Sequence, residues 1–384
     1  MSTKSKSRRT FIKQALAAGV AIPLIGSSLL SCETKVEKKK LSILILGGTS
    51  FLGPQQIKYA IDRGHEVSTF TRGKTKATVH KEYFEKVEQL IGDRENNLKA
   101  LENRKWDVVI DNSGRNVQWT KDTANLLKDN CGLYLYISST GVYFPYFKGD
   151  LKETQEVLLE EPENIEDENL KLEYWYGVMK ANSELEAQKA FGKDRTIVVR
   201  PTYMFGPGDR TDRFTHWPIR LAKGGDVLVP GKKEDLVQYI DVRDVAEWCI
   251  RLAEENAVGT YNAVGPKDPT TMHQFIDQVK GAFGKEHNLV YVDNYDFLTS
   301  NDVYYIVPWI IADKYNYGSA RVNNEKALKN GLTYRDLKTS IKETHDWWYS
   351  DALTQERRDR LEKNEKSVLF REQELLEKWK IHQS

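Results

Sequence analysis

Two residues, Tyr176 and Lys180, have the types and spacing of a proton-transfer pair. Four apart on a helix they share one face, so the Lys180 ammonium can stand near the Tyr176 phenol and favour its ionised form. A tyrosine tuned in this way trades a proton with a substrate hydroxyl. The chain holds 19 tyrosines, so the spacing arises readily by chance and the elements around it must decide whether it is chemistry.

From residue 41 to about 200, apolar runs of strand length alternate with amphipathic stretches, the pattern of a parallel sheet flanked by helices. Strands are expected at 42–46, 66–70, 87–90, 108–110, 133–137 and 196–199. Together they predict an α/β fold, a Rossmann-type doubly wound parallel sheet over 41–202. Between Leu151 and Glu173, nine acidic residues and one proline interrupt the path to the Tyr176 helix and read as a solvated loop or lid. Beyond residue 203 the rhythm loosens, which predicts a smaller mixed α+β substrate-binding region over 203–350. The charged tail at 351–384 carries Leu361, Leu369, Leu375 and Trp379 at helical spacing and predicts one or two terminal helices.

The first strand runs into Gly47, Gly48, Thr49, Ser50, Phe51, Leu52 and Gly53. Glycines at a strand-to-helix turn let the backbone approach a pyrophosphate, whose charge the helix N-terminus holds. The second strand ends at Arg72 and Lys74, where an NAD-specific site offers a carboxylate to the ribose; these cations suit the 2′-phosphate of NADP, or are solvated while the site takes NAD. Asp93 and Arg94 close the third strand, with Asp93 placed for the adenine amino group, and Asn112 and Ser113 close the fourth, beside the ribose and diphosphate. These positions line the C-terminal edge of one sheet, where open α/β folds bind ligands.

The ends carry a different message. Arg8 and Arg9 followed by Phe11 and Ile12, then an apolar stretch and Leu29-Leu30-Ser31-Cys32, read as a twin-arginine signal peptide over 1–31 with a lipobox-like end and a linker over 32–40. The expected location is the periplasm, or the membrane through a lipid on Cys32, with the export machinery as the protein partner. Removing 1–31 leaves 52 basic against 56 acidic residues, a balance that argues against nucleic acid. Cys131 and Cys249 fall in strand and helix patterns as packed thiols, and seven scattered histidines give no metal-ligand spacing.

Five ordered blocks now resemble the extended and atypical short-chain dehydrogenase/reductases, the superfamily of nucleotide-sugar epimerases and dehydratases. They are Gly47 to Gly53; Ser138-Ser139-Thr140-Gly141-Val142-Tyr143; Tyr176-Gly-Val-Met-Lys180; Arg200-Pro201-Thr202 with Gly206-Pro207-Gly208; and Tyr239 to Ala246. Within that superfamily, Gly47 to Gly53 and Phe70-Thr71-Arg72-Gly73-Lys74 look most like an atypical branch that includes chloroplast stem-loop RNA-binding proteins and bacterial epimerase-like proteins. The resemblance implies that Ser139 orients the substrate, Tyr176 is the general acid/base, Lys180 binds the nicotinamide ribose and Thr202 lies near the nicotinamide. Two departures matter: Ser50 replaces the family's middle glycine, and the segment after Val290 lacks the arginine-bearing element that holds a nucleotide diphosphate. Arg210, Arg213, His216, Trp217 and Gln238 are then the expected contacts to a carbohydrate that is not a nucleotide sugar.

The expected chemistry is oxidation of a secondary hydroxyl and return of the hydride, giving epimerisation or elimination on a captive NADP or NAD. Export favours a cofactor carried in and recycled. The alternatives are a silent binding or scaffold protein of the same fold, and a net reductase or dehydrogenase fed by exchangeable NADP.

Overall fold

Ile43, Leu44, Ile45 and Leu46 are all fully buried, and their alternate side chains enter two different cores. Only a strand covered on both faces asks this of its sequence. The computed structural model describes residues 39–384, so the expected export signal and Cys32 lie outside the described residues.

In chain order the strands are β1 (Ser42–Leu46), β2 (Glu66–Thr71), β3 (Glu88–Ile91), β4 (Trp106–Asp111), β5 (Cys131–Ile137), β6 (Thr196–Pro201), β7 (Met204–Phe205), β8 (Gly225–Pro230), β9 (Leu236–Asp241), β10 (Gly259–Ala263), β11 (Gly265–Thr271) and β12 (His287–Val292). The helices that bear on the site are α1 (Leu52–Asp62), α2 (Val117–Leu127), α3 (Glu168–Phe191), α4 (His216–Lys223) and α5 (Val242–Glu254). Seven strands form one parallel sheet in the order β10-β6-β5-β4-β1-β2-β3. This is the doubly wound sheet expected, with one strand more.

The seventh strand, β10, pairs with β6 from Gly259↔Ile197 to Ala263↔Pro201 and comes from the segment expected to serve the substrate region. Helix α5, from the same segment, packs Val245, Trp248, Cys249 and Leu252 beneath the sheet with Ile57 and Ala60 of α1. The nucleotide-binding half therefore resumes after an excursion instead of ending at residue 202. On the other face, Tyr134 and Tyr136 of β5 meet Ala124 and Leu127 of α2 and Ala187 and Phe191 of α3. Burial holds the Cys131 thiol at about 11 and the Cys249 thiol at about 12, so both remain protonated packing groups.

A second core gathers Phe205, Phe214, Trp217, Val227, Val229, Phe275 and Trp309 around β7, β8 and β9. The tail forms the helices Gln355–Glu362 and Val368–His382, and Leu375 and Trp379 of the second join this core. Glu372 pairs there with Arg220 of α4, both buried. Among the described residues, no helix is long and apolar enough to cross a membrane.

The acidic segment is not a free lid. Leu151 bridges to Val322, the Glu153 carboxylate accepts from the Asn262 backbone N–H at 3.0 Å, and Val157 packs beside Val142 and Tyr143. Its tip at Glu160, Glu161 and Glu163 faces solvent, as charge runs do.

Candidate active site

Helix α3 runs 24 residues, opened by Asp167, whose side chain accepts from the backbone of Asn169 and Leu170, and closed by Gly192 at φ 82°. That gives the cap at one end and the positive-φ stop at the other that such a helix requires. Gly177 brings it against the turn after β5: a Cβ there would fall 2.6 Å from the Gly141 carbonyl oxygen. A Cβ on Gly141 would in turn fall 2.8 Å from the Tyr176 ring. Two glycines thus let the Tyr176 helix touch the Ser139 turn directly.

Ser139 caps the short 3₁₀ turn Thr140–Tyr143, its Oγ accepting from the Gly141 N–H at 3.0 Å. The hydroxyl keeps its hydrogen for another acceptor. Lys180 is buried, and its Nζ donates to the Gly114 and Ile137 carbonyls, each at 3.1 Å, while lying 5.1 Å from the centre of the Tyr136 ring. Burial opposes its charge, but Tyr136, Tyr176 and Asp111 outweigh that and hold Lys180 above the usual ammonium range. The ammonium is fixed to the sheet edge, and Tyr176, half-buried, stands one turn away on the same face.

Beneath this surface lies a polar network that the sequence did not announce. The Glu184 carboxylate of α3 accepts from Arg200 at 2.6 and 2.9 Å and from the Ser138 hydroxyl at 2.5 Å. Arg200 also donates to the Tyr143 hydroxyl at 2.9 Å, which donates to Asn262 at 2.7 Å. The network joins the turn carrying Ser139, the helix carrying Tyr176 and the strand leading to Thr202. Thr202 itself is buried beside β10, its N–H donating to the Ala263 carbonyl.

The dinucleotide turn has the shape a pyrophosphate needs. Gly47 sits at φ 83°, and a Cβ on Gly53 would fall 2.4 Å from the Gly48 carbonyl oxygen, so the start of α1 lies directly on the turn. Phe51 holds φ 46° at the N-cap of α1 with no side-chain cap, and no acidic residue occupies the first turn. The helix N-terminus is left to an anion from outside the chain. Thr49, Ser50 and Phe51 are half-buried around it and Leu52 is buried. Gln55 of α1 donates to the Pro207 carbonyl at 3.0 Å, tying the loop after β7 to this turn. At the neighbouring strand end, the Asn112 Oδ1 and Gln56 Nε2 atoms are buried without a partner, though the two side chains share one hydrogen bond of 2.7 Å. These residues fit NAD(P): the turn for the pyrophosphate, Asn112 and Ser113 for its neighbouring groups, Thr202 and Lys180 at the far end.

Several expected contacts are engaged within the protein itself. The Arg94 guanidinium is buried and grips Asp111 at 2.5 and 2.9 Å, adding the Ser113 hydroxyl and the Trp119 carbonyl. Tyr134 also donates to Asp111 at 2.7 Å, and Arg94 holds that carboxylate below its ordinary range despite complete burial. Asp93 closes a local turn, accepting from the Glu95 N–H at 3.1 Å. Trp217 is fully buried, with Nε1 donating to the Val307 carbonyl at 2.9 Å. His216 is buried against Trp217, where desolvation, with help from Arg220, pushes it down to about 3. Gln238 spends its amide on the backbone of Val322, at 2.8 and 3.1 Å. Trp217 and Gln238 are thus bonded to the protein's own backbone, and His216 is buried beside Trp217. Arg72, Lys74, Arg210 and Arg213 are exposed, and no hydrogen bond or salt bridge among the described residues engages them.

Residues that sequence reasoning missed surround Tyr176. Glu173, one turn earlier on α3, shares its face, and the half-buried Tyr146 and Tyr203 lie close enough to feel the charge of both. Helical spacing from Tyr176 was enough to find Glu173; the two tyrosines arrive from distant turns. Among the described residues, no group of three or more His, Cys, Asp or Glu is arranged to hold a metal ion.

Known proteins share this architecture. The Bordetella bronchiseptica enzyme WbmG, solved in complex with NAD and UDP, superposes with a TM-score of 0.59 at 16% identity, covering 83% of this chain and 97% of that one. A UDP-N-acetylglucosamine 4-epimerase from Methanobrevibacter ruminantium M1, in complex with UDP-N-acetylmuramic acid, gives 0.59 at 17% identity, covering 81% and 98%. Likeness at this identity speaks to the fold. A curated Arabidopsis thaliana relative, chloroplast stem-loop binding protein of 41 kDa b, is 28% identical over 222 residues, 55% of this chain; the match spans about half, 53%, of that relative's length. The model of the NAD dependent epimerase/dehydratase family matches residues 43–265, which takes in the dinucleotide turn, Ser139, Tyr176, Lys180 and all seven sheet strands but the first residue of β1, and the chain belongs to that family.

Proposed function

We propose that the protein epimerises or dehydrates a carbohydrate through one of its secondary hydroxyls, with a tightly held nicotinamide dinucleotide recycled in each turnover. The observation that carries this reading is the fixed placement of Lys180 and of the Ser139 turn against the helix face that bears Tyr176. When bound, the dinucleotide accepts a hydride from the carbon bearing the hydroxyl and returns it. Tyr176 takes the hydroxyl proton and gives it back; Ser139 donates to the same oxygen and orients it; Lys180 supplies a positive charge that stabilises negative charge developing on Tyr176.

A free or glycosidic carbohydrate is favoured over a nucleotide sugar, although the structural neighbours named above are a UDP-bound enzyme and a UDP-sugar epimerase. The segment after Val290 spends Phe297, Leu298, Val307 and Trp309 on the second core and presents no arginine until Arg321. The exposed, unpaired Arg72 and Lys74 at the end of β2 support NADP over NAD. Residues 1–31 support export before or with lipidation of Cys32, and an exported enzyme gains from a captive cofactor.

Heat extraction of the purified protein should release a nicotinamide dinucleotide in near-equal amount to protein, and NMR of a carbohydrate panel should show inversion or loss at a ring carbon. A protein that binds neither NAD nor NADP refutes the reading. Cell fractionation and fatty-acid labelling of Cys32 test the location. The name of the Arabidopsis relative favours a second reading, a binding protein without turnover. Full biological activity in Tyr176→Phe with cofactor still bound would select it.

A further inference from the structure

On α3, Glu173, Tyr176, Gly177 and Lys180 fall at i, i+3, i+4 and i+7, one face of the helix. Lys180 is the buried end of this row and Glu173 the solvent end, one turn or about 5 Å beyond Tyr176. The charge of Arg213 acts on Glu173, and its guanidinium carbon lies 5.1 Å from the centre of the Tyr203 ring. Tyr203 follows Thr202 directly and interacts with the charges of Arg213, Glu173 and Tyr176; Tyr146, from the turn after Ser139, interacts with Tyr203, Glu173 and Tyr176. Two phenols, one carboxyl and one guanidinium therefore gather in the neighbourhood of Tyr176.

The charges of the loop carrying Arg213 do not cancel there. Asp209 turns one carboxyl oxygen back to the Thr211 N–H and hydroxyl, at 2.7 and 2.8 Å, and burial raises its pKa, against its ionisation, with Arg213 pulling the other way. Asp212 is claimed by Arg357 at 2.7 Å. Glu173 lies within the field of Arg213 but forms no salt bridge with it, and although the residue is exposed overall, desolvation around its carboxyl raises its pKa, against its ionisation. Arg213 is left as an exposed cation on an aromatic face, engaged by no salt bridge among the described residues.

We propose that Arg213, seated on Tyr203 beside the open end of the Tyr176 helix face, selects sugars that carry a carboxylate. The inference rests on the carbohydrate reading above and names its substrate class as a sugar acid. A guanidinium meets a carboxylate with two parallel donors, and stacking on Tyr203 keeps its plane fixed for that contact. Tyr146 and Tyr203 offer ring faces to the sugar's C–H groups and hydroxyls to its oxygens.

The test uses the full, cofactor-loaded chain with glucose, glucuronate and glucose 6-phosphate, followed by NMR for change at a ring carbon and by calorimetry for binding. Glucuronate should be preferred over glucose in kcat/KM by about 10- to 100-fold, the range of one charge-assisted interaction. Arg213→Gln should erase that preference through KM with kcat little altered, and Arg213→Lys should restore only part of it. Calorimetric binding of glucuronate should weaken in parallel while heat-extracted cofactor is unchanged. Turnover of glucose and glucuronate with equal efficiency, preference for the phosphate, or a glucuronate preference that survives Arg213→Gln overturns the proposal and leaves the carbohydrate reading standing. Absence of turnover and binding for all three sugars overturns both.

Discussion

The two sides of Tyr176 are built differently. Toward the cofactor, polar side chains are locked to one another: Arg94 to Asp111, Arg200 to Glu184, Lys180 to two carbonyls. Toward the substrate, Glu173, Arg210 and Arg213 are exposed and no salt bridge among the described residues joins them. A buried charge must be paired, because leaving it alone costs several kcal/mol, whereas an exposed one costs little to hold in readiness. One side is a finished scaffold, and the other keeps its polar groups for a ligand.

The largest effect should come from Tyr176→Phe, which sits on the boundary. Removing the hydroxyl should lower kcat by about 10² to 10⁴, the usual weight of a general acid/base, while heat-extracted cofactor stays at the wild-type level. Loss of cofactor along with turnover would show that the two sides are not separable.

Arg94→Met attacks the scaffold alone. It strands the Asp111 carboxylate, which is fully buried, and should cost about 3–5 kcal/mol in urea unfolding. The wild-type pair also makes a statement about pH. Asp111 is held below its ordinary value, so its contribution is present above about pH 4 and lost as pH falls through the depressed folded value. The variant should lack that acid-side loss. A variant as stable as the wild type would mean the pair is not what holds the β4 end.

Gly177→Ala tests the joint between the sides. Its Cβ would fall 2.6 Å from the Gly141 carbonyl oxygen, and backbone rather than a flexible tip must move. Overpacking of this kind costs about 1–3 kcal/mol. Turnover should fall by more than stability explains, because the move separates Tyr176 from Ser139. Unchanged turnover would show that the contact is not needed for the geometry.

Six strands, the dinucleotide turn and the row of Tyr176 and Lys180 were legible because each is a local pattern: alternating burial, a glycine run, a helical period. The seventh strand was not, since Gly-Thr-Tyr-Asn-Ala at 259–263 is short and half polar, and only its pairing with β6 makes it a strand. Arg94 and Asp111 are 17 residues apart, and each alone reads as a polar strand end suited to a cofactor. His216 and Trp217 looked like substrate contacts in an aromatic-rich loop, yet Trp217 and Leu221 recur at a helical spacing of four and both are fully buried. That period was available and outweighed by residue type. Gln238 lies on β9, where only the partner segment at Val322 reveals what its amide is for.

Glu173→Gln should have the smallest effect and addresses the open side directly. Glu173 is exposed as a residue, but the protein packed around its carboxyl raises its pKa by desolvation, with Arg213 pulling the other way. At low pH the carboxyl is neutral and leaves Arg213 to an incoming anion; as pH rises through the raised value, it ionises and competes for the same guanidinium. The KM for a sugar acid should therefore rise with pH in the wild type, by about two- to five-fold, since an exposed pair is worth only about 0.2–1 kcal/mol. Glu173→Gln should flatten that rise and leave kcat near its wild-type value. A KM slope that survives the substitution would place the titrating group elsewhere and show that Arg213 is held by the protein itself, much as Arg94 is, which would erase the difference between the two sides.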